Sequence, residues 1–138
     1  MCTQGRDLTT VLTNLSNCIR SFCVTTLVAH NIASDVALLV QEGMRCDLPP
    51  SKLLPVQHLI CTQLATVAVC GLPLSGSPIG YKWPKLKESF TAVTNATQKN
   101  IHGHDAREDV AMCRLILESL LMGGTFLPIS NSDTAKGR

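Results

Sequence analysis

The stretch "VTTLVAHNIASDVALLVQEGM", residues 24–44, constrains the fold more than any other part of the chain. It opens with a β-branched, apolar run, breaks at the polar pair His30-Asn31, and resumes from Ser34 with the spacing of a helix that stops near Gly43. A buried strand that feeds a loop and then a helix is one half of a strand–helix–strand unit. The other half follows the turn-rich "DLPPSKLLP": the short apolar run "HLICT" reads as a second strand beside the first. Upstream, "DLTTVLTNLSNCIRSF" places Leu8, Val11, Leu12, Leu15, Cys18, Ile19 and Phe22 at helical spacing, with Thr and Asn on the opposite face. Helix, strand, helix, strand predicts an α/β domain with parallel pairing.

The rest reads as mostly helical. "TQLATVAVCGLPL" fits a short helix or a strand, and "SGSPIG" is a loop of turn residues. "YKWPKLKESFTAV" predicts a helix with Pro84 at its first position and Leu86, Phe90 and Val93 on one face. A final helix is expected from about Asp105 to Met122, closed by Gly123 and Gly124, and residues 125–138 read as a loose polar tail.

A chain of 138 residues suits one domain, and such a domain buries roughly two thirds of its unfolded surface. With 45% hydrophobic and 16% charged residues the composition is globular. No apolar run approaches the length of a membrane span, so no membrane partner is expected. The first ten residues lack a signal-peptide pattern. Seven cysteines, an odd number without a CxxC pair, fit thiols kept reduced, which points to the cytoplasm or nucleus; Cys61, Cys70 and Cys113 fall in apolar runs expected in the core. A formal charge of +2 is too small to imply a nucleic-acid or membrane partner by itself.

Ionisable residues concentrate at two helix starts. In "NIHGHDAREDV", Asp105 and Glu108 have the spacing of a capping box, which leaves His104 and Asp109 unexplained. In "LVAHNIASDVALL", Asp35 opens a helix just after a strand, the edge of a parallel sheet where ligands collect. Asp35 is either part of a site or, like Ser34 before it, a cap for the helix. A carboxylate at each of two helix starts and a histidine in a loop are what a metal-assisted hydrolase uses: the carboxylates hold a hard divalent cation and the histidine takes a proton from the attacking water.

These residues carry a resemblance. "LVAHNIASD" is similar to the second motif, and "HGHDAREDV" to the third motif, of the DEDDh 3′-5′ exonucleases, the proofreading-exonuclease and RNase T-like branch of the RNase H-like superfamily. "YKWPKLKE", between them, resembles a segment common in bacterial-type members. The resemblance implies an RNase H-like fold and phosphodiester hydrolysis with two divalent metals, Mg²⁺ or Mn²⁺, at the 3′ end of a single strand of DNA or RNA. It assigns Asp109 to direct metal binding, Asp35 to the second metal, His104 to the general base and Asn31 to substrate contact. His102 lies outside the motif, and Ser34 stands where the family usually has an aromatic residue.

Nothing in the chain matches the family's first motif, an Asp-x-Glu on the first strand. Asp7 is the one acid before Asp35, and "GRDLTT" reads as a helix cap. By the resemblance, residues 1–124 are the C-terminal part of an exonuclease domain whose first three strands are missing. The "TTLVAH" strand would then be left with an open edge, so a second copy or a strand-donating partner is expected. Either the chain belongs to a longer enzyme and is inactive in isolation with weakly bound metal, or it is a non-catalytic relative that binds nucleic acid or a protein. A third reading, an unrelated small α/β interaction domain, treats the histidine and the aspartates only as caps. Lys82, Trp83 and Lys85 either grip and stack on a single strand, or are a packing residue among solvated lysines. If the site exists, Asp35, Asp109 and His104 face one cleft.

Overall fold

The computed structural model describes residues 5–76, 79–94 and 105–123. Among these residues, six helices and two strands run in the order α1 (Leu8–Ser21), β1 (Thr26–Ala29), α2 (Ile32–Arg45), α3 (Pro50–Leu53), β2 (His58–Cys61), α4 (Thr62–Cys70), α5 (Leu86–Thr94) and α6 (Ala106–Leu121). The architecture is α/β and helix-rich, with β1 and β2 paired in a two-stranded parallel sheet. Among the described residues no helix is long and apolar enough to cross a membrane. The chain divides into two compact units, one of Met1–Val28 with Ile32–Ile60, the other of Ala29–Asn31 with Cys61–Arg138.

In the first unit, α1 starts because the Asp7 carboxylate accepts the Thr10 backbone N–H at 3.0 Å. Its apolar stripe buries Leu12 and Ile19. The same face carries Ser16 and Arg20, which both donate to the Lys52 carbonyl of α3, at 2.6 and 3.0 Å. That one-turn helix was not legible as such in "DLPPSKLLP". It forms because Pro50 stands at its first position and Leu53 is driven into full burial. Leu53 meets α2 at Gly43, where an added Cβ would lie 2.6 Å from its Cδ2.

Helices α1 and α2 end alike. The Val24 N–H reaches back to the Ile19 carbonyl (2.9 Å) and Leu48 N–H to Gly43 (2.9 Å), while Cys23 and Asp47 bond to Arg20 and Met44. This is the Schellman arrangement, whose turning residue must be left-handed. Here those residues are Cys23 (φ 50°) and Asp47 (φ 56°) instead of glycine. The α2 bounds differ from the expected Ser34–Gly43 at both ends. Asn31, at φ 67°, turns the chain so tightly out of β1 that the helix begins at Ile32.

The second unit packs α4, α5 and α6 together. The ambiguous "TQLATVAVC" is helix α4, and its buried face is Thr62, Thr66 and Cys70 while Leu64 lies exposed. The Thr66 hydroxyl satisfies itself on the Thr62 carbonyl (2.8 Å) and meets the Ser89 hydroxyl of α5 at 2.7 Å. Cys70 sits at the end of this seam, and burial pushes its thiol above the usual value. α6 begins at its expected cap: Asp105 accepts the Arg107 N–H at 2.9 Å. α6 buries Met112, Cys113 and Ile116. Cys113 and Cys70 are core as expected, whereas Cys61, at the strand end, is half-buried. The α5 start is another correction: the helix begins at Leu86, and Pro84 lies two residues before it, buried.

Candidate active site

Helix starts place the two motif aspartates. Asp35 stands in the first turn of α2, in the first unit, exposed. Because α2 begins at Ile32, neither Asp35 nor Ser34 occupies its cap position, so the capping account of Asp35 does not hold. Asp109 stands in the first turn of α6, in the second unit, half-buried, and the cap there is Asp105. Neither carboxylate makes a hydrogen bond or ion pair with a described residue. His104 lies outside the described residues, as do His102 and the tail 125–138. No group of three or more His, Cys, Asp or Glu capable of holding a metal occurs among the described residues.

Asn31 and the "YKWPKLKE" segment both belong to the second unit, and His30 ties them. Its Nε2 lies 3.0 Å from the Pro84 carbonyl and its Nδ1 3.1 Å from the Thr62 hydroxyl. A carbonyl only accepts, so Nε2 donates to it. Gln63 donates a second hydrogen bond to the same carbonyl at 3.1 Å. The backbone between Trp83 and Lys85 is therefore fixed from two sides. The structure thus gives His30, which the sequence presents only as a strand end, the role of anchoring the residues beside Asn31 to those beside Trp83.

The three basic and aromatic candidates separate. Lys82 forms an ion pair with Glu88 (2.8 Å), and the other oxygen of Glu88 accepts the Lys85 backbone N–H at 2.7 Å. That second bond is half of a capping box for α5. Hydrogen bonding to Lys82, and then to the Lys85 amide, holds the Glu88 carboxyl below the usual carboxylate range. Lys82 is thus engaged within the protein, while Lys85 is exposed. Trp83 is 65% exposed, which removes the packing account of this residue. Tyr81, which sequence reasoning passed over, is also exposed.

No family model, curated protein or solved structure matches the chain.

Proposed function

We propose that the chain is an exonuclease-type domain of the DEDDh kind, acting on nucleic acid by 3′-5′ phosphodiester hydrolysis, with little or no activity as this isolated chain. The observation that carries the reading is the state of the two motif aspartates. Both stand in helix first turns, the caps of those helices lie elsewhere or are taken by Asp105, and both carboxylates lack a described partner. A surface carboxylate needs no partner, but two at the motif positions, without a capping role, agree with ligands for a hard cation. By the resemblance, Asp109 would bind a divalent metal directly and Asp35 would serve the second, and Mg²⁺ or Mn²⁺ so held would polarise the phosphate and lower the pKa of the attacking water. His104 would accept that water's proton, and Asn31 would contact the substrate strand. Two such aspartates bind Mg²⁺ weakly, on the order of millimolar, since it gives up its water reluctantly.

The test titrates Mn²⁺ into the chain and into Asp35→Asn and Asp109→Asn variants, reading the paramagnetic broadening of proton resonances. Weak binding that either change removes supports the reading; binding indifferent to both overturns the site. A 3′-labelled single strand incubated with Mg²⁺ or Mn²⁺ is expected to stay intact. Release of nucleotides that His104→Ala abolishes would show instead that the isolated chain is active.

The sheet motivates a partner. With two strands, each of β1 and β2 keeps one edge unpaired among the described residues, and Leu59 and Ile60 of β2 are exposed. No charge or proline blunts either strand. We propose pairing with a second copy or with a strand supplied by another chain.

A further inference from the structure

Residues Tyr81 to Lys85 alternate in burial: Tyr81 exposed, Lys82 half-buried, Trp83 exposed, Pro84 buried, Lys85 exposed. A period of two is the mark of an extended segment with one face turned to solvent. The neighbouring backbone accounts for it. Tyr81 bridges Pro73 in antiparallel fashion, with Lys82 N–H donating to the Leu72 carbonyl (2.9 Å) and Leu74 N–H to Gly80 (3.2 Å). Those bonds flank the Pro73–Tyr81 pair, which needs no N–H from the proline. Inward, Lys82 is held by Glu88, and Pro84 by His30 and Gln63. The outward face that remains is Tyr81, Trp83 and Lys85: two aromatic rings and a cation.

We propose that this face takes an unpaired nucleic-acid base between Tyr81 and Trp83, with Lys85 on an adjoining phosphate. Side chains two residues apart on an extended segment stand about 6.7 Å apart. That is twice the roughly 3.4 Å rise of stacked bases, the gap that one planar base fills between two rings. The ring faces accept any base, so the contact is sequence-tolerant. Charge selects nucleic acid over an apolar peptide: the segment from Tyr81 to Glu88 carries Lys82, Lys85 and Lys87 against the single acid Glu88. A duplex is excluded because its bases are already stacked on one another. The choice of occupant rests on the nucleic-acid reading above, but the platform involves neither Asp35, Asp109 nor His104.

Trp83 is the chain's single tryptophan, so its emission reports the site directly. The intact chain in EDTA is titrated with oligodeoxythymidylate of about ten nucleotides, and with a duplex of equal length. Single strand is expected to quench the emission and duplex to leave it nearly unchanged. Tyr81→Ala should weaken single-strand binding roughly five- to a hundred-fold, and Tyr81→Phe should keep it. Emission indifferent to single strand, equal quenching by duplex, or Tyr81→Ala binding like the unaltered chain would overturn the proposal. Since no metal is present, this binding can fail while the Mn²⁺ site stands, and the Mn²⁺ site can fail while this binding stands.

Discussion

Single residues carry strain that the chain does not relieve. Asp47 holds a left-handed conformation at the end of α2, where an L-residue costs roughly 1–2 kcal/mol and where a negative charge faces the wrong end of the helix dipole. Asp47→Gly is expected to raise the stability by about 1 kcal/mol, read as a higher urea midpoint. Gly43 presents the opposite case. A methyl group there would gain helix propensity of roughly 1 kcal/mol, yet it meets the fully buried Leu53 at 2.6 Å and the Leu48 carbonyl at 3.0 Å. The Leu48 carbonyl is backbone in a turn tied to Gly43 through the Leu48 N–H, and Leu53 is fully buried, so overpacking outweighs the propensity. Gly43→Ala should lower stability by about 1–3 kcal/mol, seen in the same denaturation curves. Glu88 gives a pH dependence. Its acidity is strengthened in the folded chain relative to the ordinary 4.5, so its contribution is complete above that value and is lost as the pH falls through the lower folded value. The difference in melting temperature between the unaltered chain and Glu88→Gln should therefore shrink on acidification below about pH 4.5. With solvent screening the pair is worth less than about 1 kcal/mol.

At the scale of elements, legibility in the sequence followed local physics. α1 and α6 could be read because a cap and an apolar period coincide: Asp7 and Asp105 cap them as the sequence predicts. α4 could not, because its buried face is Thr62, Thr66 and Cys70 and its exposed face includes Leu64, so hydrophobicity points the wrong way. Partners distant in sequence, the Ser89 hydroxyl 23 residues beyond Thr66 and the His30 ring 32 residues before Thr62, make that polar face tolerable in the core. The start of α5 was displaced for a similar reason, since Pro84 is pinned from a distance by His30 and Gln63. The site shows the same division. Asp35 and Asp109 could be placed near helix starts from sequence, but the diversion of Lys82 to Glu88 depends on a fold that brings the two together. A signal for Tyr81 did exist, in the spacing of Tyr81, Trp83 and Lys85 at every second residue. His30→Ala is expected to loosen this segment without unfolding it, because Gln63 still holds the Pro84 carbonyl. The fluorescence anisotropy of Trp83 should fall while the far-ultraviolet circular dichroism is kept.

For the whole molecule, the pairing proposal carries a prediction about behaviour in solution. Two four-residue strands are fewer than an independent sheet needs, and the exposed Leu59 and Ile60 add apolar surface beside an open edge. Self-association at micromolar concentration is the expected outcome in sedimentation velocity, and Ile60→Lys should suppress it. A monomer at every concentration would remove the pairing proposal.

The division of the chain into units has a consequence in time. Residues Ala29–Asn31 belong with the second unit, although they are flanked on both sides by segments of the first. During synthesis they leave the ribosome early, but Thr62 and Pro84, which His30 binds, come 32 and 54 residues later. At the usual pace of about 5–20 residues per second, several seconds pass before the imidazole can meet these two groups. Until both have left the ribosome the turn after β1 lacks the two contacts that fix it, a window in which a chaperone or a protease can meet the nascent chain.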